Sequence, residues 1–137
     1  MGVAAIELVR EQAGCFLGYR GAPLSLPSGW EAWNAYRSGS LVASLTLSSG
    51  PAGSFDWAEA DYEGPFFAPG PSPSALNSAA VVARMECVYI APSLRGGELW
   101  QGYKMILAEL GLPVYAAFAN ARLAERFRVE GDVTHPA

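Results

Sequence analysis

The chain has 137 residues, a formal net charge of −4, a hydrophobic content of 51% and a charged content of 16%. These values are typical of one folded domain with its own core, and they exclude an intrinsically disordered chain. The acidic balance leaves no electrostatic footprint for nucleic acid, and no apolar run approaches the ~20 residues of a membrane-spanning helix.

The numbers of cysteine and histidine residues limit the kinds of disulfide and metal site that the chain can contain. Two cysteines, Cys15 and Cys87, do not make a disulfide framework, and a single histidine near the end of the chain argues against a metal site. The first residues show no basic region followed by an apolar core, so we expect no secretory signal. The chain is therefore expected to be cytoplasmic, or part of a virion if a phage encodes it.

The first segment, residues 3–17, carries apolar side chains at helical spacing, with charged side chains between them. This spacing predicts an amphipathic helix. The fold implied by the family resemblance given below has a strand before this helix, and no strand pattern precedes it here, so the sheet is expected to lack an edge strand and to leave backbone groups uncovered. The apolar positions are Val3, Ile6, Val9, Ala13 and Phe16.

A hairpin is predicted over residues 30–49. In its second strand, Leu41, Ala43, Leu45 and Leu47 alternate with Val42, Ser44, Thr46 and Ser48. Such alternation indicates a half-buried strand, and Ser38-Gly39-Ser40 supplies the turn before it.

Residues 50–78 form a long insertion loop that is rich in proline, glycine and serine. It nevertheless contains several aromatic residues with acidic neighbours, and long loops inside a domain are usually functional or disordered. Three interpretations stay open: the aromatic residues cover the chain's own sheet, they form a binding arm for a partner, or the loop is a flexible substrate lid. The aromatic residues are Phe55, Trp57, Tyr62, Phe66 and Phe67.

Residues 81–110 predict a buried strand, a glycine turn and an amphipathic helix, in that order. Gly111 and Pro113 end the helix. A further strand is predicted over residues 113–119, followed by a second helix that begins at Asn120 and ends at Gly131. A strand that leads through a glycine turn to a helix N-terminus presents backbone N–H groups that suit a phosphate.

The turn from Ile90 to Gly96, with the sequence IAPSLRG, resembles the acetyl-CoA-binding turn of the GNAT N-acetyltransferase superfamily. The spacing from Asn120 to Gly131 fits the same family pattern. The resemblance implies an α/β (α+β) fold, in which a mixed, mostly antiparallel sheet is flanked by helices and residues 1–137 form a single domain. It also implies an acyl-CoA-dependent N-acyltransferase.

The resemblance assigns roles to particular residues. Glu86 stands where several members of the family carry the catalytic base, although it is also explained as a surface charge paired with Arg84. Asn120 is equally explained as a helix N-cap and Arg95 as a solvated side chain. The cofactor-binding residues for acetyl-CoA are Val88, Ile90, Arg95, Gly96, Gly97 and Asn120.

Three positions depart from the family pattern. Glu98 and Trp100 replace the second and third glycines of the turn, and Phe127 stands where the family often has a tyrosine that acts as the general acid. These departures favour an alternative function, a catalytically inactive GNAT-fold structural or interaction subunit of a larger assembly such as a phage virion. In that case we expect a protein partner or a homo-oligomer that forms through residues 50–78.

Overall fold

The computed structural model describes residues 5–57 and 62–117. Within them lies one α-helix, α1 (Glu98–Glu109). The strands are β1 (Ile6–Glu11), β2 (Cys15–Leu17), β3 (Pro23–Ser25), β4 (Trp30–Arg37), β5 (Ser40–Pro51), β6 (Tyr62–Glu63), β7 (Val81–Ile90) and β8 (Val114–Ala117).

Six of these strands form one sheet in the order β1-β4-β5-β7-β8-β6, while β2 and β3 form a separate pair. The pairs β1–β4, β4–β5 and β6–β8 are antiparallel, and β7–β8 is parallel. The described part of the chain is therefore a mixed, mostly antiparallel sheet with one α-helix, which confirms the fold class at that level.

Contacts divide the described residues into two compact units. Unit 1 comprises residues 5–48 and 86–101, and unit 2 comprises residues 49–57, 62–85 and 102–117. Because β5, β7 and α1 each contribute residues to both units, the division does not follow element boundaries.

The helix predicted over residues 3–17 is wrong, because this segment contains β1 and β2. β1 pairs with β4 along its whole length, from Ile6 opposite Arg37 to Glu11 opposite Ala32. The apolar residues that suggested a helical period do not share one face of the strand, since Ile6 and Val9 lie on opposite faces of β1, so pairing with β4 overrides the local pattern. The edge strand that the sequence seemed to lack is therefore present as β1.

The predicted hairpin is confirmed as β4 and β5. Ser38 and Gly39 link them, with φ values of 52° and 79° respectively. Positive φ at two central residues gives a turn whose twist matches the flanking strands, and glycine adopts it without steric strain.

Residues 50–78 are more regular than a single loop. They contain 3₁₀ turns at Ala52–Ser54 and Pro73–Ala75, and β6 pairs with β8. Phe66 and Phe67 are buried, with 8% and 5% of their surface exposed.

The other described aromatic residues of this segment also pack within unit 2. Phe55 and Trp57 lie against a cluster of Ala52, Val82 and Tyr115. Among the described residues, these aromatic side chains therefore cover the chain's own apolar surface, as the first of the three interpretations expects.

The predicted strand and helix over residues 81–110 are confirmed as β7 and α1. Gly111 follows the helix with a φ of 68°, the left-handed conformation expected at its end. β8 begins at Val114, within the predicted strand of residues 113–119. The remaining predictions concern residues 118–119, the helix at 120–130, Asn120, Phe127 and Gly131, and they lie outside the described residues.

Candidate functional site

A row of hydroxyl side chains runs along the part of β5 that belongs to unit 1. Ser44, Thr46 and Ser48 are spaced two apart and therefore share one face of the strand. They are 0%, 0% and 7% exposed. We call these three residues the polar strip. Since water does not reach it freely, its hydrogen-bond partners must come from the protein or from bound molecules.

The strip was not predicted. The alternation in β5 indicated one buried and one solvent-facing side, yet Leu45 and Leu47 on the opposite face are also buried. The centre of β5 is therefore buried on both faces, and the prediction of a half-buried strand is wrong here. A row of serine and threonine without any charged residue was the available signal, because solvent-facing strand positions usually include Lys or Glu.

At one end of the strip, the Ser48 hydroxyl donates a short hydrogen bond to Oε2 of Glu86 on β7. Ser48 is buried and Glu86 is half-buried. A carboxylate that accepts a bond from a buried hydroxyl is held in one orientation, which is what a positioned base requires.

In the middle of the strip, Oγ1 of Thr46 is buried and has no hydrogen-bond partner among the described residues. A buried hydroxyl in this state costs about 1–3 kcal/mol relative to one that is hydrogen-bonded. Thr46, which is 0% exposed, is therefore a position where a single water molecule would be bound favourably.

The other end of the strip is closed by Asn34 of β4. Its Oδ1 accepts a bond from the Ser44 hydroxyl at 2.6 Å, and its Nδ2 donates to the Cys15 carbonyl at 2.8 Å and to the Glu11 carboxylate at 2.7 Å. Ser44 in turn accepts the backbone N–H of Leu17 at 2.8 Å. Asn34 is 0% exposed, so this network is a structural anchor for β2 rather than an open binding surface.

Two titratable groups adjoin this network. Burial raises the pKa of Tyr36, and its hydrogen bond to Glu11 at 2.9 Å raises the pKa further. The neutral phenol donates this bond to the carboxylate, whereas a phenolate would have no proton to donate and would repel it. Burial also raises the pKa of the Cys87 thiol, whose Sγ lies 3.9 Å from the Leu17 carbonyl oxygen. Cys87 is thus a protonated interior thiol at neutral pH, as expected of a core residue and unlike a nucleophile.

After β7, the side chain of Arg95 reaches back to the last residue of that strand. Its Nε donates to the Ile90 carbonyl at 2.7 Å, and its guanidinium lies 5.4 Å from the centre of the Tyr89 ring. A guanidinium has five N–H donors and this hydrogen bond uses one of them. Arg95 is thus part of the turn's own structure, and it presents positive charge beside the N-terminus of α1.

The glycine turn itself has one open position. A Cβ added at Gly97 would meet only the Leu94 carbonyl oxygen, at 3.7 Å, so no described protein atom crowds it. Trp100 is 6% exposed, so its indole packs in the interior instead of standing over the turn. Glu98 is exposed in the first turn of α1. Its negative charge interacts favourably with the helix dipole and repels an anionic ligand.

The described residues that the sequence assigned to the site all lie in unit 1, between Glu86 and Gly97. Val88 is half-buried and Ile90 is buried, so these two can act only through backbone groups. Asn120 lies outside the described residues. The residues that sequence reasoning missed are Ser48 and Thr46.

No group of three or more His, Cys, Asp or Glu side chains in residues 5–57 and 62–117 could hold a metal ion. The same residues contain no helix with the length and apolar character needed to cross a bilayer. Comparison with models of known protein families, with curated proteins and with solved structures finds no match. The GNAT resemblance therefore rests on the residues of the turn and on the spacing that follows it.

Proposed function

We propose that this chain is a cytoplasmic acyl-CoA-dependent N-acyltransferase-like protein of the GNAT type, with Glu86 as its base. The observation that carries the proposal is the carboxylate of Glu86 held by the buried Ser48 hydroxyl. Beside it in the polar strip stands Thr46, whose buried Oγ1 has no partner among the described residues. An oriented base next to an unsatisfied hydroxyl suits an acceptor that carries N–H groups.

Glu86 would take one proton from the ammonium form of the acceptor, which frees the nitrogen lone pair for attack. Ser48 keeps the receiving oxygen in place, and the buried Thr46 hydroxyl can hold a water that enters with the acceptor and relays the proton. Acetyl-CoA, when bound, supplies an acyl group activated as a thioester. A positioned acid or base of this kind contributes roughly 10²–10⁴-fold to the rate.

The turn after β7 fits such a cofactor through its backbone and opposes it through one charge. Gly97 is uncrowded and stands just before the N-terminus of a 12-residue helix, which is a favourable place for phosphate. Arg95 adds positive charge, whereas the exposed Glu98 carboxylate would repel a pyrophosphate. We therefore expect acetyl-CoA to bind weakly to the unaltered protein.

Calorimetric titration with acetyl-CoA tests the cofactor half of the proposal. Glu98→Gln should tighten binding, while Glu109→Gln removes the same charge at the other end of α1 and should leave binding unchanged. Micromolar affinity in the unaltered protein would show that Glu98 does not face the ligand. The absence of binding in both the unaltered protein and Glu98→Gln would refute the cofactor assignment.

The catalytic half is tested by following release of the CoA thiol with amine acceptors. Glu86→Gln should lower turnover by roughly 100-fold or more while acetyl-CoA binding stays unchanged. Equal turnover in Glu86→Gln and the unaltered protein would remove Glu86 from the mechanism.

A catalytically inactive interaction subunit is the second candidate, favoured by the position of β1 at the end of the strand order. The sequence predicted association through residues 50–78, with Trp57, Phe66 and Phe67 against a neighbour. Since Phe66 and Phe67 are already buried within the chain, we expect the triple alanine variant to lose thermal stability without a change of mass in ultracentrifugation. Dissociation of an oligomer by that variant would instead restore the predicted interface.

A further inference from the structure

β1 is the terminal strand of the six-stranded sheet, so no described strand pairs with its outer edge. It is held from the other side by β4 in an unbroken register over six residues, from Ile6 to Glu11. Six residues of strand span about 20 Å, which is long enough to add a further strand. An uncovered edge of this length is a template for backbone pairing with another chain.

The first face of β1 carries two apolar side chains and one paired charge, and Arg37 of β4 lies opposite Ile6. Ile6 and Leu8 are each 37% exposed. The next residue on this face, Arg10, forms an ion pair with Glu31 of β4 at 2.5 Å and lies 5.9 Å from the Trp33 ring. Because the only charge of β1 on this face is already neutralised, a strand laid beside it would need apolar side chains here.

The second face of β1 is acidic. Glu7, Val9 and Glu11 line a cleft of about 440 Å³, together with Tyr36 and the Ser38–Gly39 turn. Glu7 is exposed, and no positively charged side chain lines this cleft among the described residues. A strand laid beside β1 would therefore meet two carboxylates on this side, and basic side chains would complement them.

We propose that the outer edge of β1 binds an extended segment of another protein, in which basic residues alternate with apolar ones. The segment adds a strand to the sheet, places its apolar residues beside Ile6 and Leu8, and directs its basic residues to Glu7 and Glu11. A second copy of this chain fits less well. Antiparallel pairing of two β1 strands about a two-fold axis would bring both acidic faces to the same side of the sheet.

The test uses a dye-labelled octapeptide of alternating Lys and Val, followed by fluorescence anisotropy against the full chain. Comparison peptides are alternating Glu and Val, a block arrangement of the same four Lys and four Val, and the Lys–Val peptide with N-methyl groups on alternate residues in either register. We expect the unmethylated alternating Lys–Val peptide to bind tightest. N-methylation in the register that faces β1 should abolish binding, because it removes the donated backbone hydrogen bonds.

On the protein, Glu7→Lys should raise the dissociation constant of the Lys–Val peptide about tenfold, since an attractive cross-strand pair becomes a repulsive one. Glu7 is exposed, so this variant should keep the melting temperature of the parent. Glu109→Lys, an equal charge change at the end of α1, is the matched control and should leave peptide binding unchanged. Hydrogen exchange of the β1 amides should slow on binding.

Three outcomes would overturn the proposal. Binding that is unaffected by N-methylation in both registers would show that no strand is added. Equal weakening by Glu7→Lys and Glu109→Lys would reveal non-specific charge attraction. A dimer of the free protein that Glu7→Lys strengthens would identify a second copy as the occupant. None of these outcomes depends on acetyl-CoA, so they leave the proposed transferase function to its own test.

Discussion

The two units bury polar side chains in contrasting ways. Unit 1 places an amide and three hydroxyls in its interior: Asn34, Ser44, Thr46 and Ser48. Unit 2 places two cations there, Arg84 and Lys104, which are 9% and 4% exposed. A buried polar or charged group loses its hydrogen bonds to water, and contacts within the protein must replace them. The two units replace them with different kinds of contact.

In unit 2, aromatic faces surround the guanidinium. Its central carbon lies 4.7 Å from the ring centre of Phe55, 5.8 Å from that of Trp57 and 4.9 Å from that of Tyr62. Nη1 also donates to the Asp56 carbonyl at 3.3 Å. Cation–π contacts of a desolvated guanidinium are worth about 2 kcal/mol or more, so Arg84 links Phe55, Trp57 and Tyr62 to β7.

In unit 1, hydrogen bonds replace the aromatic contacts, and they are unevenly distributed. Asn34 makes three of them, whereas the Thr46 hydroxyl has none among the described residues. The contrast indicates a division of tasks. Polar burial in unit 2 serves rigidity, and polar burial in unit 1 leaves a group that can interact with a bound molecule.

The largest effect is expected for Arg84→Ala, which should lower the free energy of unfolding by about 3 kcal/mol. Removing the side chain empties a space between three rings and also loses the bond to the Asp56 carbonyl. Urea unfolding measures the loss. Arg20→Ala is the control, because Arg20 is exposed and stacks only on the exposed Tyr19, so its loss should be below about 0.5 kcal/mol.

A second variant separates charge from volume. Arg84→Met fills much of the same space without a cation, and it should still be less stable than the unaltered protein by about 1–2 kcal/mol. Equal stability of Arg84→Met and the parent would mean that packing alone explains unit 2, and the contrast with unit 1 would lose its electrostatic basis.

Sequence reasoning predicted the elements whose patterns are local. The hairpin of β4 and β5, the strand β7 and the helix α1 each carry a complete signal within about a dozen residues. β1 could not be assigned, because the apolar residues of 3–17 follow a period near 3.6, and only pairing with the distant β4 makes the segment a strand.

The site was accessible to the sequence only in part. Glu86, Arg95 and Gly97 were named from the turn motif, and the structure describes each of them in unit 1. Ser48 and Thr46 were missed because the alternation of β5 predicts a solvent-facing position for both. Their neighbour Ser44 accepts the backbone N–H of Leu17 in β2, which lies in a segment that was assigned to a helix, so this contact could not be predicted.

The second prediction concerns the anchor of unit 1. Asn34→Ala should lower the free energy of unfolding by about 2 kcal/mol, since Ser44, the Cys15 carbonyl and Glu11 each lose a partner in a buried or partly buried setting. Asn77→Ala is the control, because the Asn77 side chain is exposed and accepts a hydrogen bond from the nearby Ala79 backbone N–H, at 2.9 Å. Equal small losses in the two variants would show that water replaces the Asn34 network and that unit 1 is not closed there.

The smallest effect on stability is expected for Thr46→Val, and it is the most informative for the contrast between the units. Valine has nearly the shape of threonine, so the change removes a hydroxyl without opening a cavity. If Oγ1 has no partner in the free protein, its removal should change the free energy of unfolding by less than about 0.5 kcal/mol, or stabilise the protein slightly.

Ser48→Ala is the matched comparison, and it should lower the free energy of unfolding by about 1–2 kcal/mol because the bond to Glu86 is lost. Thr46→Val should fold normally and yet transfer the acyl group more slowly, because the hydroxyl that holds the relay water during turnover is gone. A loss of stability above about 1 kcal/mol in Thr46→Val would show that a buried water already satisfies the hydroxyl. In that case every hydroxyl of the polar strip would already be hydrogen-bonded, and the contrast with unit 2 would disappear. The polar strip would then have no hydroxyl available for catalysis.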